Sequence, residues 1–241
     1  MLKKWCKSLT KIKAIIFDLD GVLIHPDFSI FKQARDEIIS YLRKIGITVT
    51  PESPFFKKVF DALMKKFDER QVWEHYSRIS RIAEKYEMKA LNYAEVESNA
   101  KEVLEKLKRN GFQLGLFSLS GKQYVKEALR MLDCLELFDV IVTRDDKVKP
   151  KPYPDGILLI CELLGICPHE SIFIGDTKID VEAAIKANAI PILIMKTEAN
   201  IFPEQFTQNV IILRRIDSKQ MLFLLQNNGF FSVSKRFTKK F

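Results

Sequence analysis

The chain has 241 residues, and its 39 basic and 31 acidic side chains leave a formal charge of +8. An apolar share of 47% excludes a mostly disordered chain, and the apolar runs are far shorter than the roughly 20 residues of a membrane span. Basic residues are concentrated at 1–13 and 230–241. We interpret these stretches as solvated termini, with weak attraction to anionic lipid or nucleic acid as the alternative, and we expect no nucleic-acid partner.

The first predicted strand covers residues 14–17, a short apolar run that ends at Asp18. The next stretch, 28–93, is charged, and its apolar residues recur every three or four positions, which is typical of helices. It is too long to be a loop. We therefore expect a helical cap domain over residues 26–94, inserted into an α/β core formed by residues 1–25 and 95–241.

Beyond the insertion, short apolar runs alternate with helical patterns. The predicted strands are 112–117, 138–142, 171–174 and 190–194, and the predicted helices are 100–110, 122–132, 154–164 and 179–187. A further strand at 209–213 and a helix at 221–225 are expected near the end of the chain. This alternation predicts an α/β fold with a doubly wound, Rossmann-like parallel sheet.

Polar residues stand where several of these strands end. Asp18 and Asp20 follow the first strand, and Ser118 follows the strand at 112–117. Asp176 and Asp180 follow the strand at 171–174. Ligands of open α/β sheets bind at the carboxyl ends of the strands. Clustered carboxylates need a positive partner, and oxygen ligands in loops suit Mg²⁺.

A stiff segment rich in proline precedes the helix at 154–164 and carries two lysines. Lys149 and Lys151 are each followed by proline, within the run Lys-Pro-Lys-Pro-Tyr-Pro. Because proline presets the backbone, such a segment aims a lysine rather than leaving it free. A rigid surface loop with solvated lysines is the alternative.

Together, Asp18-x-Asp20, Ser118, Lys149 and Asp176-x-x-x-Asp180 resemble the four motifs of the haloacid-dehalogenase-like (HAD) hydrolase superfamily. The insertion after the first motif is similar to the C1-cap branch, which contains phosphoglycolate phosphatase and β-phosphoglucomutase. The resemblance covers residues 14 to about 194.

This resemblance implies roles for the matched residues. Asp18 would be the nucleophile of an aspartyl-phosphate mechanism, and Asp20 the general acid and base. Ser118 and Lys149 would hold the phosphate, with Lys151 as the competing lysine. Mg²⁺ would be bound by Asp18, Asp176 and the backbone carbonyl of Asp20, with Asp180 outside its first coordination sphere or orienting the lysine.

The expected function is therefore that of a Mg²⁺-dependent phosphatase acting on a small phosphorylated metabolite. A phosphomutase of the β-phosphoglucomutase type is an alternative, although Ile30 stands about where the cap histidine of that enzyme would fall. A non-catalytic binding protein with the same fold is another. Within the cap, Arg70, Trp73, His75 and Arg78 are candidate substrate contacts, weighed against a solvated helix face.

The four cysteines show no CxxC spacing, and the basic N-terminal segment lacks the apolar core of a signal peptide. Free thiols in a reducing compartment are the simpler account, and we expect a cytoplasmic protein. The sequence gives no indication of the oligomeric state.

Overall fold

The computed structural model describes residues 11–195 and 210–226. Its strands are β1 (Ala14–Phe17), β2 (Ile24–His25), β3 (Glu95–Val96), β4 (Gln113–Phe117), β5 (Val140–Val142), β6 (Ser171–Gly175), β7 (Ile190–Ile194) and β8 (Ile211–Leu213). Its helices are α1 (Phe28–Lys44), α2 (Phe55–Lys66), α3 (Glu69–Leu91), α4 (Ala100–Arg109), α5 (Lys122–Met131), α6 (Asp155–Leu163), α7 (Lys178–Ala187) and α8 (Ser218–Gln226).

Six of these strands form one parallel sheet in the order β5-β4-β1-β6-β7-β8. The predicted doubly wound α/β fold is confirmed. In this sheet Phe17 of β1 pairs with Leu116 of β4 and with Ile174 of β6. This register brings the chain segments that follow the three strands to the same edge of the sheet.

Helices cover both faces of the sheet, which explains why β1 is apolar without alternation. Ile15 packs in a cluster with Leu104 of α4 and Leu129 of α5. Its neighbour Ile16 points to the opposite face and packs in a cluster with Ile160 of α6. Both isoleucines are fully buried.

Helices α1, α2 and α3 pack around a hydrophobic cluster of their own, separate from the two clusters at the sheet. Ile38 of α1, Phe60 of α2 and Tyr76 of α3 lie at its centre. The chain enters this helical unit after β2 and leaves it before β3, and these two strands pair antiparallel. The boundaries 26–94 remain our prediction for the cap.

Several predicted features fall on parts of the chain that are not described. The basic stretches at 1–10 and 230–241, Cys6 and residue 209 lie outside the described residues. The predicted strand and helix near the end of the chain are found as β8 and α8. Among the described helices, none combines the length and the apolar character that a bilayer crossing requires.

Candidate active site

The first carboxylate of the site stands directly after β1. The Asp18 N–H donates to the carbonyl of Ile174 at 2.8 Å, which extends the β1–β6 ladder by one residue. Its Oδ1 accepts a hydrogen bond from the backbone N–H of Leu19 at 2.8 Å. Only 8% of the residue surface is exposed. Backbone bonds on both sides therefore fix the Asp18 carboxylate at the edge of the sheet.

Gly21 allows the loop after β1 to approach the loop after β6. Its φ is +83°, a conformation that glycine adopts without steric cost. A Cβ atom at this position would lie 2.0 Å from Oδ2 of Asp176. The bare backbone therefore makes room for the Asp176 carboxylate beside Asp18 and Asp20.

Asp20 is held by two hydroxyl groups from the segment that follows β4. Tyr124 donates to its Oδ1 at 2.5 Å, and Ser120 donates to its Oδ2 at 2.7 Å. Burial raises the pKa of Asp20 to about 6, although both hydroxyls oppose that shift. Asp20 can therefore exchange a proton near neutral pH, which suits a general acid and base. Ser120 and Tyr124 were not among the residues predicted from the sequence.

Ser118 lies at the end of β4, as predicted, and is fully buried. Its N–H donates to the carbonyl of Val142, and its Oγ accepts from the N–H of Ser120 at 3.0 Å. The backbone N–H of Leu119 donates to no acceptor within the described residues. Because Leu119 also lines the cavity described below, its N–H is a candidate donor to a bound anion.

The lysine that reaches the carboxylates is Lys151, not Lys149. The Lys151 Nζ lies 2.9 Å from Oδ2 of Asp18 and 2.7 Å from Oδ1 of Asp180. Lys149 is exposed, and its Nζ lies over the ring of Tyr153, 5.6 Å from the centroid. Our expectation that Lys149 would lie beside the carboxylates was wrong, because the lysine found there is Lys151. The Lys-Pro-x-Pro pattern occurs twice, and only the second copy runs directly into α6.

Burial alone would lower the pKa of Lys151, but Asp18 and Asp180 more than offset this, and the net shift is upward. The ammonium is therefore charged throughout the physiological range. It also lies 3.3 Å from the carbonyl of Phe117. Lys151 is thus held in place by carboxylates on one side and by the end of β4 on the other.

Three carboxylates meet at this edge of the sheet. One oxygen from each of Asp18, Asp176 and Asp180 lies within 4.8 Å of the others. Burial raises the pKa of Asp18 well above its usual range, with Asp180 and Asp176 adding to the shift and Lys151 opposing it. Burial likewise raises the pKa of Asp176 to about 7. One ammonium does not balance the three negative charges.

This donor set fits a small divalent cation. One oxygen of Asp18 and one of Asp176 lie within 4.8 Å of each other, so both side chains could hold one Mg²⁺. The backbone carbonyl of Asp20 accepts no hydrogen bond from the described residues and is available as a third ligand. Asp180 is already engaged, because its Oδ2 accepts from the N–H of Thr177 at 3.0 Å and its Oδ1 contacts Lys151.

A second buried charge cluster links the helical unit to the same edge of the sheet. Arg144, after β5, donates to both carboxylate oxygens of Glu87 on α3 at 2.6 and 3.0 Å. It also donates to Oγ of Ser80 at 2.9 Å and to the carbonyl of Leu119 at 2.6 Å. Burial would lower the pKa of Arg144, but Glu87 outweighs it and the net shift is upward.

A cavity of about 220 Å³ lies over the carboxylates. Its floor comes from the sheet edge and includes Asp18, Asp20, Asp176 and Lys151. Its roof comes from the helical unit and consists of Phe28, Phe31, Arg35, Ser53, Pro54, Phe55, Phe56 and Glu87. A ligand in this space would contact both units at once.

The helical-unit residues suggested by the sequence lie elsewhere. Arg70 forms an exposed ion pair with Glu74, and Trp73 packs beside Phe60 in the helical core. His75 is hydrogen-bonded to the hydroxyl of Tyr41 at 2.6 Å, and the Arg78 guanidinium lies over the Tyr41 ring. None of the four suggested residues lines the cavity over the carboxylates, and Arg70 and Trp73 line a separate groove instead.

Comparison with known proteins agrees with this arrangement. The family described as haloacid dehalogenase-like hydrolase matches residues 15–194. A curated relative from Caldanaerobacter subterraneus, named putative pyrophosphatase PpaX, is 27% identical over 86% of this chain and 94% of the relative. Pyrophosphatase PpaX from Bacillus cereus is 28% identical over 71% of this chain and 77% of the relative.

Solved structures share the fold. A predicted phosphoglycolate phosphatase from Haemophilus somnus aligns with a TM-score of 0.59 at 22% identity, over 90% of this chain and 99% of that chain. A putative haloacid dehalogenase-like hydrolase from Bacteroides fragilis aligns with the same TM-score at 23% identity, over 84% of this chain and 97% of that chain. At this identity the likeness concerns the fold.

Proposed function

Because the chain belongs to the haloacid dehalogenase-like hydrolase family, we propose that it is a Mg²⁺-dependent phosphatase that hydrolyses a small phosphomonoester through an aspartyl phosphate. The supporting observation is the 2.9 Å contact between Lys151 and Asp18 at a cavity that also contains Asp20 and Asp176. Relatives named pyrophosphatase support phosphoryl chemistry. We assign residues 26–94 to a cap over this site.

In the first step, an oxygen of Asp18 attacks phosphorus, and the bond from phosphorus to the leaving oxygen breaks. Asp20 donates its proton to that oxygen, so the alcohol leaves neutral. In the second step, Asp20 takes a proton from a water molecule as that water attacks the aspartyl phosphate. The bond from phosphorus to Asp18 breaks, phosphate is released, and both side chains return to their starting states.

The negative charge of the phosphoryl group needs fixed positive partners during both steps. Lys151 is the nearest cation to Asp18 in this proposal, and it replaces Lys149 in the role suggested by the resemblance. The Ser118 hydroxyl and the free N–H of Leu119 would add hydrogen bonds. The ion pairs with Asp18 and Asp180 keep the lysine charged and aimed at the reacting group.

Asp18, Asp176 and the carbonyl of Asp20 would hold Mg²⁺. When bound, the ion would supply positive charge that offsets the carboxylates and the phosphoryl group. Asp180 would remain outside its first coordination sphere and orient Lys151. Burial raises the pKa values of Asp18 and Asp176, and the neighbouring carboxylates add to the shift.

The two alternative functions lack a supporting contact. A phosphomutase needs a cap group that accepts and donates the proton while the intermediate reorients. Within the described residues, no histidine lines the cavity. A non-catalytic binding protein would not need a buried lysine aimed at a carboxylate with a raised pKa. The phosphatase uses every charged group of the cavity floor.

The test is metal-dependent release of phosphate from an aryl phosphate. Wild-type protein should be active with Mg²⁺ and inactive with EDTA. Asp18→Asn should lose at least about a thousandfold in turnover, because the amide is no nucleophile. Mass spectrometry of acid-quenched wild-type enzyme should show phosphate on the peptide that contains Asp18.

Asp36→Asn is the matched control, since Asp36 is exposed on α1 and lies outside the cavity lining. It should behave like wild type. Retained turnover in Asp18→Asn, or equal turnover with Mg²⁺ and EDTA, would end this proposal.

A further inference from the structure

The N-terminal half of α1 contributes to the roof of the cavity. Phe28, Phe31 and Arg35 line the cavity, and their spacing of three and then four residues places them on one side of the helix. Further along the same side of the helix, Ile38 and Leu42 are buried in the helical core. The N-terminal half of α1 therefore extends this side over the carboxylates.

Arg35 is the unassigned charge of the cavity. The amine of Lys151 is engaged by Asp18 and Asp180, and the carboxylate of Glu87 is engaged by Arg144. Arg35, by contrast, has no hydrogen-bond or ion-pair partner in the part of the chain that the structure describes. It lines the cavity and remains exposed to solvent.

The helix itself offers Arg35 no partner. The residues three and four positions away along α1, where an acidic side chain would pair with it, are Phe31, Lys32, Ile38 and Ile39. Some other cations of the helical unit do have such partners, for example Lys57 with Asp61 and Lys85 with Glu37. Among the described residues that roof the cavity, Arg35 is the one cation.

The aromatic side chains next to Arg35 shape what it can bind. Phe28 remains 52% exposed at the roof and packs edge to face with Phe31, with ring centroids 5.6 Å apart. These rings offer no hydrogen bonds, and a charge beside them is less well screened than in open water. An anionic group that enters the cavity therefore has Arg35 as its partner on the roof.

We propose that Arg35 binds a second anionic group on the leaving-group side of the substrate. The substrates are then phosphate compounds that carry a carboxylate or another phosphate close to the scissile bond, rather than esters of neutral alcohols. This inference rests on the proposed function, because it takes the phosphoryl group to lie at Asp18 and Lys151. Arg35 acts as a specificity residue and takes no part in the proton transfers.

The size of the cavity supports a compact substrate. Its volume of about 220 Å³ is below the range of roughly 300–1,000 Å³ that drug-sized ligands occupy. The phosphoryl group fills the floor, so the remaining space under α1 suits a short leaving group. Its second charge would then lie under the roof, on the side where Arg35 stands.

The experiment compares substrates that differ in the charge of the leaving group. Specificity constants are measured with Mg²⁺ for pyrophosphate and phosphoglycolate, which carry a second anion, and for ethyl and phenyl phosphate, which do not. In Arg35→Ala the ratio of charged to neutral substrates should fall roughly 10- to 100-fold, the range expected for a hydrogen bond to a charged group. Separate values for pyrophosphate and phosphoglycolate show which anion is preferred.

Lys32→Ala is the matched control, because Lys32 is an exposed cation on the same helix, three residues away and outside the cavity lining. It tests general attraction between a basic helix and an anionic substrate. The control should leave the ratio within about twofold of wild type. An equal fall in Lys32→Ala and Arg35→Ala, or an unchanged ratio in Arg35→Ala, would overturn the assignment of Arg35.

A binding measurement decides the same point without turnover. Calorimetry with Mg²⁺ should show that wild type binds methylenediphosphonate more tightly than methylphosphonate, and Arg35→Ala should lose most of this preference. If the preference is absent from wild type, the second-anion site is wrong. If it is present while Asp18→Asn retains wild-type turnover, the proposed mechanism fails and the role of Arg35 in binding stands.

Discussion

Two buried charge clusters lie close together in this protein and differ in their charge balance. The rim cluster, made of Asp18, Asp176, Asp180 and Lys151, has three carboxylates for one ammonium. The bridge cluster, made of Arg144, Glu87 and Ser80, pairs one guanidinium with one carboxylate. Burial raises the pKa values of Asp18 and Asp176 in the first cluster. In the second, attraction to Glu87 outweighs burial and keeps Arg144 charged.

This difference in charge balance distinguishes a cluster that needs a bound proton or cation from one whose charges are already paired. In the bridge cluster, Arg144 donates to the carboxylate of Glu87, to Oγ and the carbonyl of Ser80, and to the carbonyl of Leu119. In the rim cluster, excess negative charge lowers the stability of the fold unless a proton or a cation is bound. Buried charge by itself does not indicate an active site, whereas uncompensated buried charge beside a cavity does.

The largest effect is expected when the side chain of Lys151, and not that of Lys149, is removed. Lys151→Ala should lower the specificity constant for an aryl phosphate about a thousandfold, because it removes the fixed positive charge next to Asp18. Lys149→Ala should change it less than about twofold, since that amine is exposed beside Tyr153. Steady-state kinetics with Mg²⁺ measures both. A larger loss in Lys149→Ala would return the phosphate role to Lys149.

The next effect concerns the bridge cluster. Arg144→Met should lower the free energy of unfolding by about 3–5 kcal/mol, because the carboxylate of Glu87 is left buried without its partner. The double variant Arg144→Met with Glu87→Leu should recover most of this loss, since apolar residues need no partner. Urea denaturation followed by circular dichroism measures each value.

Arg70→Ala provides the control for an ion pair in water. Its partner is Glu74, and the arginine side chain is 89% exposed, so the free energy of unfolding should change by less than about 1 kcal/mol. If Arg144→Met cost no more than this exposed pair, the bridge cluster would not stabilise the junction between the two units.

The smallest effect is a pH trend that the rim cluster and Asp20 should produce together. The pKa values of Asp20 and Asp176 rise from an ordinary 3.8 to about 6 and about 7 in the folded protein. Between the ordinary pKa of 3.8 and these raised values, the folded state holds more protons than the unfolded state. The free energy of unfolding therefore falls as the pH rises. In EDTA, the free energy of unfolding should therefore fall between about pH 5 and pH 7, and the raised pKa of Asp18 adds to this fall.

Mg²⁺ should weaken or reverse this trend, because the ion binds the deprotonated carboxylates. Asp176→Asn is the matched variant, and in EDTA its stability should fall less steeply with pH than that of wild type. The measurement is urea denaturation at several pH values with EDTA or Mg²⁺. A wild-type stability that rises from pH 5 to pH 7 in EDTA would contradict the assignment of the raised pKa values.

Much of the fold could be predicted from local patterns. The unbroken apolar run at 14–17 indicated a strand buried on both faces, and Ile15 and Ile16 do pack on opposite sides of the sheet. The helical spacing in 28–93 corresponds to α1, α2 and α3. Such patterns indicate which side chains are buried, because the spacing of apolar residues along one strand or helix shows which of its faces is covered.

The lysine shows where local patterns failed. Lys149 and Lys151 both begin a Lys-Pro-x-Pro pattern, and nothing within the segment shows which amine meets Asp18. Ser120, Tyr124 and the pair of Arg144 with Glu87 were not identified either, because each acts through a partner far away in the chain. Glu87 and Arg144 are 57 residues apart in sequence, yet their charged groups lie 2.6 Å apart.

The sequence by itself determined the order of strands and helices and placed Asp18, Asp20, Ser118, Asp176 and Asp180 just beyond strand ends, because side-chain periodicity and turn residues are local properties. Only the tertiary structure decided which lysine reaches Asp18 and which part of α1 roofs the cavity. Those outcomes depend on how separate elements dock, and docking is set by packing and charge pairing across the whole fold.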